Sequence, residues 1–176
     1  MIRSFNGKSP RIAPSAFVSE AAYIVGDVEI GEYSSVWPGA VVRGDFGSIK
    51  IGNNAAIEDN CVIHSGSTSA PGNMVEVTIG DNAHIGHGAV INCRKISNNV
   101  LIGMNATVLH DAEIGDYSII AAGCLVGEGM IVPDRSLVAG VPGKIKKEVS
   151  DKQLWWVNQA PLLYIDMARR YKEEGL

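Results

Sequence analysis

Histidine supplies most of the candidate chemistry in this chain. His64, His84, His87 and His110 all fall in its middle third, with Glu58 and Asp59 close by. An imidazole can hold a divalent metal or exchange a proton near neutral pH. It can equally be a surface or structural residue, so the positions of these four must decide. Cys61, Cys93 and Cys124 are odd in number and lack the paired spacing of a zinc knuckle.

What positions the histidines is a repeat. Isoleucine or valine recurs at every sixth residue through Ile12, Val18, Ile24, Ile30, Val36 and Val42. The series continues at Ile51, Ile57 and Ile63, then at Ile79, Ile85 and Ile91. It slips by one residue to Ile96 and runs on to Val138. Four places after most of these stands a small residue, such as Ala40, Ala55, Cys61, Ala83, Ala89 or Cys124. A six-residue period fits neither an amphipathic helix nor a two-sided strand. It predicts an all-β solenoid, a left-handed parallel β-helix of roughly seven triangular coils. The β-branched residue points inward and the small residue packs at the corner, so Cys61 and Cys124 read as buried structural thiols.

The solenoid is expected over residues 1–145 and a helical tail over 146–176. Three extra residues around Asp45–Ser48 and ten between Ile63 and Ile79 interrupt the frame. The second insertion, 65–78, is rich in Ser, Gly, Thr and Pro and predicts a protruding loop. Ser150–Gln153 reads as a capping box that starts a helix. Pro161 predicts a break, with a second segment from Leu162 to Glu174. The apolar residues of the tail predict packing along the solenoid or a neighbouring subunit.

The repeat sets the phase of each histidine. His64 and Asn92 are 28 residues apart, one coil of 18 plus the ten inserted residues. They should stack on one face about 4.8 Å apart. His87, five residues before Asn92, lies on the preceding face, about 16 Å away along an extended chain. It cannot share a metal with His64 of its own chain, whereas a threefold assembly would bring it beside His64 of the next. His110 follows Asn92 by 18 residues, one coil above, and is an alternative ligand at a strained reach. His84, next to a corner, is expected to face solvent or a neighbour.

A net charge of −4 and a pI near 5.5 argue against nucleic acid as a partner. No apolar run reaches membrane-spanning length, and the first residues lack the apolar core of a signal peptide. Unpaired buried thiols suit a reducing, cytoplasmic setting.

Several segments together carry a more specific signal. They are Val41-Val42-Arg43-Gly44-Asp45, Ile57-Glu58-Asp59-Asn60, Val62-Ile63-His64, Ile85-Gly86-His87-Gly88-Ala89 and Leu101-Ile102-Gly103-Met104-Asn105-Ala106. With the late Ala139-Gly140-Val141-Pro142-Gly143-Lys144, the chain resembles the γ-class carbonic anhydrases and their hexapeptide-repeat relatives over nearly its whole length. The resemblance implies a homotrimer with a metal, Zn2+ or alternatively Fe2+ or Co2+, at each subunit boundary. It makes His64 the first ligand and His87 the second, given by the adjacent subunit. The third histidine of the family is here Asn92, whose neutral amide is a poor substitute for imidazole on zinc. Glu58 stands where the family commonly has a glutamine facing bound hydroxide or bicarbonate, and could act as acceptor, base or ligand; a solvated turn carboxylate is the bland alternative. Arg43, Asp45 and Asp59 match residues that form ion pairs at the subunit boundary. Tyr164 corresponds loosely to a tyrosine brought near the site by the tail.

The implied reaction is reversible hydration of CO2 to bicarbonate by a metal-bound hydroxide. Two other functions compete with it. One is a metal-poor scaffold or assembly member. The other is an acyl-CoA-dependent transferase or thioesterase with His87 as the base.

Overall fold

The computed structural model describes residues 1–65 and 76–176. The chain forms a left-handed parallel β-helix of about seven coils with a single C-terminal helix. Short parallel strands stack in register. Ile57, Ile85, Ile102 and Ile120 follow one another on a first face. Val42, Ile63, Ile91, Val108 and Val126 do so on a second. Ile51, Ile79, Ile96, Ile114 and Val132 make a third. All point inward and are buried. The small residues Ala55, Ala83 and Ala89 fill the corners without any exposure. All three cysteines are buried and unpaired, and burial pushes the Cys61 and Cys93 thiols up to about 12.

One corner is held by a ladder of Asx side chains. Asn53 N–H donates to Asp81 Oδ1 at 2.7 Å, and Asp81 N–H to Asn98 Oδ1 at 2.9 Å. Asn98 N–H donates to Asp116 Oδ1 at 2.7 Å, and Asp116 N–H to Asp134 Oδ1 at 2.8 Å. Each Asx side chain thus satisfies a turn amide of the coil beside it, which would otherwise lack a partner. Gly52, Gly80 and Gly115 each precede such a turn and leave room for that oxygen, and Ser97 stands at the equivalent place before Asn98. A Cβ on Gly80 would lie 2.6 Å from Asn98 Oδ1 and 2.7 Å from the Ser97 carbonyl carbon.

The extra residues near Asp45 do not break the solenoid. They lie within one strand, Val41–Ile51, which turns the corner from the second face to the third and pairs with a similarly long Tyr23–Ile30. A three-residue register shift between Gly26 and Val28, from Gly26 opposite Gly44 to Val28 opposite Ile49, absorbs the mismatch. Most of the expected loop 65–78 lies outside the described residues. Its last residues belong to the solenoid, because Val77–Ile79 pairs with Ile49–Ile51 and with Lys95–Ile96.

The tail is one helix, α1 (Asp151–Glu174), not the two segments that Pro161 predicts. At its start Ser150 N–H donates to Gln153 Oε1 at 3.1 Å. Gly175 ends it in the left-handed conformation. Pro161 forfeits a helical hydrogen bond, a cost of about 3 kcal/mol in an isolated helix. Burial of the same helix face on the solenoid offsets it. Val157 packs with Ile119 and Val149, and Ala168 with Phe17 and Trp37. Trp37 also meets the rings of Tyr164 and Tyr171, with centroids 5.4 and 5.1 Å away.

The outward residues of the three faces meet different surroundings. On the first face Phe17, Ser35, Ala56 and Ile119 are buried, and α1 contacts its strands. On the third, Arg11, Glu29 and Lys50 form surface ion pairs. The second presents Tyr23, Val62 and Val90, each at least 36% exposed, with no element over them among the described residues. Among the described residues no helix is long and apolar enough to cross a membrane.

Gly80→Ala is expected to destabilise the fold by about 1–3 kcal/mol, because the new methyl meets backbone and a ladder side chain. Circular dichroism melts should show a lower Tm, whereas Gly127→Ala, where a Cβ meets nothing within 4 Å, should barely shift it.

Candidate functional site

The stacking register builds a first cluster on the second face. Residues alternate in and out along a strand, so with Ile63 inward, His64 points outward. Arg43 is its register partner in the adjacent coil. The pairing of Ile63 with Ile91 carries Asn92 to the other side of His64, as the repeat predicts. Arg43 Nη1 lies 2.6 Å from Asp45 Oδ2, and His64 Nε2 lies 3.0 Å from Asp45 Oδ1. The remaining ring nitrogen, Nδ1, is 3.5 Å from Asn92 Nδ2. Asn92 Oδ1 is buried without a hydrogen-bond partner among the described residues. The Phe46 ring stands edge-on to His64, centroids 5.8 Å apart.

A second cluster forms where the first and second faces meet, around Glu58. This carboxylate is 3% exposed, unlike a solvated turn residue. Its Oε1 lies 2.6 Å from His84 Nε2, and its Oε2 accepts the His87 backbone N–H at 2.7 Å. His87 Nε2 is 3.1 Å from Oε2, and His87 Nδ1 is 2.9 Å from Asp59 Oδ2. Burial by itself would raise the Glu58 pKa. Hydrogen bonds from His84, Tyr164 and the His87 N–H, with the charge of His84, outweigh it and leave the carboxyl below its ordinary value. Burial, with the neighbouring Glu58 carboxylate, pushes the Tyr164 hydroxyl up. The Tyr164 ring stands edge-on to His84 at 4.8 Å.

His84 does not face solvent or a neighbour as its corner position suggests. It is 7% exposed. Its register partners Ala56 and Leu101 place it in the outward column that α1 covers, and the small Ala56 leaves room beside it. The signal was in that column, whose members Phe17, Ser35, Ala56, Leu101, Ile119 and Leu137 are apolar or small. A histidine among them lies beneath whatever covers the face, not in water. Its Nδ1 has no partner.

His110 is not one coil above Asn92. Val108 pairs with Ile91, so Leu109 takes that place and His110 falls in the corner beyond. The slip between Ile91 and Ile96 shortens this coil by one residue and removes His110 from the column.

Within one subunit, then, His64 and Asn92 share one cluster and His87 belongs to another. Among the described residues no group of three or more His, Cys, Asp or Glu could hold a metal ion. The donors also do not fit a three-imidazole zinc centre, because the third position offers an amide. His64 Nε2 already bonds with Asp45 Oδ1, and the His87 ring nitrogens lie 3.1 Å from Glu58 Oε2 and 2.9 Å from Asp59 Oδ2.

Residues 95–128 match the bacterial transferase hexapeptide family, described as six repeats. The chain is 44% identical to "Probable carbonic anhydrase" of Methanocaldococcus jannaschii over 157 residues, 89% of this chain and 95% of the relative. It is 34% identical to mitochondrial gamma carbonic anhydrase 2 of Arabidopsis thaliana over 96% of its own length, and it spans only 60% of that protein. A crystal structure of a hexapeptide transferase family protein from Anaplasma phagocytophilum superposes with a TM-score of 0.89 at 33% identity, covering 97% of each chain. The chain belongs to the γ-carbonic anhydrase-like family of hexapeptide-repeat proteins.

Glu58 and His84 should behave as one unit. Glu58→Gln and His84→Ala are each expected to lower stability, and the double variant by less than their sum. A double-mutant cycle in denaturant should give a coupling of about 0.5–3 kcal/mol; strict additivity would separate the two residues.

Proposed function

We propose that this protein is a ligand-depleted γ-carbonic anhydrase-like homotrimer. Its intersubunit cleft would take CO2 or bicarbonate, binds metal poorly, and hydrates CO2 more slowly than a three-histidine version of itself would. The observation that carries this is Asn92, set beside His64 at the place of the third ligand. A catalytic zinc takes three good protein ligands and keeps one position open for water. When bound, the metal would supply a hydroxide near neutral pH. In this reading His64 and Asn92 of one subunit and His87 of the next line the cleft, and Arg43, Asp45 and Asp59 fix its edges.

The trimer draws support from the uncovered second face. Tyr23, Val62 and Val90 form an apolar ladder beside the outward His64, and such a patch marks an association surface. The resemblance to the γ-class family, which implies a homotrimer, points the same way.

One observation favours a second reading. His87 is half-exposed, and the carboxylates of Glu58 and Asp59 lie 3.1 and 2.9 Å from its ring nitrogens, where they would stabilise the imidazolium that a general base becomes on taking up a proton. That would suit acyl transfer from, or hydrolysis of, a CoA thioester without metal. A scaffold role has no such observation of its own.

Protein purified without added metal is expected to carry well under one metal equivalent per subunit. Asn92→His should raise both metal content and CO2 hydration, read by elemental analysis and stopped-flow pH change. An unchanged metal content in the variant would remove Asn92 from the site. Thioesterase activity that survives chelator and is lost in His87→Ala would favour the second reading instead.

Light scattering should give about three times the subunit mass of 18.7 kDa. Val90→Asp, which places a charge in the apolar ladder, should shift the population toward monomer. A wild-type monomer would sink the intersubunit site.

A further inference from the structure

The helix α1 carries a second apolar face that the solenoid does not use. Its inward side packs on the first face through Val157, Tyr164 and Ala168. On its other side Trp155 and Trp156 are each 55% exposed, and Leu162 and Leu163 are 58 and 59% exposed. At helical spacing these four make one stripe, with Met167 as its next member. The Trp155 and Trp156 rings touch edge-on, with centroids 4.9 Å apart. Lone apolar residues at a surface are ordinary, but a contiguous patch marks a binding surface.

The charge around the stripe is basic. Lys152 lies one helical turn before the tryptophans, and Arg170 one turn after Met167. Beside the first turns of α1 runs the edge strand Lys144–Glu148, which sets Lys147 opposite Leu137 and Lys144 opposite Ala139. Opposed residues share a side of the sheet, and Leu137 packs with Leu154 of α1, so both lysines project on the α1 side. Residues 144–176 hold seven Lys or Arg and five Asp or Glu, a net +2, whereas residues 1–143 hold eight and fourteen, a net −6. Four of those five carboxylates are paired inside the protein, Glu148 and Asp151 with Arg135, and Asp166 and Glu173 with Arg169. Lys144, Lys147, Lys152 and Arg170 have no ion-pair partner among the described residues.

We infer that α1 docks on an anionic lipid surface, with its tryptophans and leucines at the headgroup level and the flanking lysines on lipid phosphates. A helix with Trp and Leu on one side and cations around them binds in the plane of such an interface. The helix is not long and apolar enough to cross a membrane, so the contact is peripheral. Lysines on an edge strand also deter pairing with another chain, but that role does not call for two exposed tryptophans beside them. A second copy docking by this same face would set lysine against lysine, which opposes the pairing. The inference goes beyond the cleft and does not depend on its chemistry.

The test is sedimentation of the full chain with lipid vesicles. The protein should pellet with vesicles of equal parts phosphatidylcholine and phosphatidylglycerol, and stay in solution with phosphatidylcholine alone. Trp37 is buried, so a blue shift of tryptophan emission on binding reports Trp155 and Trp156. Combining Trp155→Ser with Trp156→Ser should abolish pelleting. Combining Lys144→Gln with Lys147→Gln should weaken it on the order of twentyfold, about fivefold for each lysine, and added salt should weaken binding of the wild type.

No pelleting with the anionic vesicles overturns the inference, and so does pelleting that the tryptophan variant retains. Equal binding to both kinds of vesicle removes the anionic surface as the partner. Light scattering on the tryptophan variant tests the other occupant: a lower assembly mass than wild type would make the stripe an interface between copies and sink the lipid reading. Circular dichroism checks that each variant is folded, and the emission shift and salt dependence of the wild type decide the matter without any variant.

Discussion

The register between coils is the constraint on which the rest of this protein depends. Each inward isoleucine or valine must sit over the one in the coil beside it, or the apolar column breaks. The strands are mostly only two residues long, so pairing within one face specifies little; the stack of Ile63 on Val42 and Ile91 on Ile63 specifies much. Because side chains alternate in and out, that stack also fixes what points outward. His64 stands beside Asn92 for no reason other than that Ile63 stands beside Ile91. A slip of one residue past Ile91 is enough to take His110 out of the same column and set Leu109 there. The Asx ladder works to the same end at the corner, since each side chain bonds a backbone amide one coil away and only the correct register allows it.

The three faces of the solenoid then diverge in fate, and the candidate chemistry gathers where two of them meet. The first face is roofed by α1, the third carries charge into water, and the second carries an apolar ladder that no element covers among the described residues. Glu58 and His87 lie at the edge between the roofed face and the one with this ladder. The roof supplies Tyr164 and low solvent exposure, which make an isolated carboxylate costly. His84, Tyr164 and the His87 amide compensate that cost, and together they hold the Glu58 carboxyl below its ordinary pKa.

The fold, its approximate number of coils, the inward residues and the stacking of His64 on Asn92 were legible from the sequence, because a six-residue period has one simple structural solution and assigns each residue a direction. The family signal rested on short segments, which the register sets at corners and outward positions of the coils. What the tertiary structure decided is which outward positions are covered. His84 was unreadable as a buried partner of Glu58 because its burial comes from a helix more than sixty residues later in the chain. Pro161 looked like a break because local propensity favours one, but contacts between α1 and the first face outweigh a single lost hydrogen bond. The bond from the His87 backbone N–H to Glu58 was equally hidden. Periodicity gives the direction of a side chain, whereas its hydrogen-bond partner depends on distances of a few tenths of an ångström that only the packed coils set.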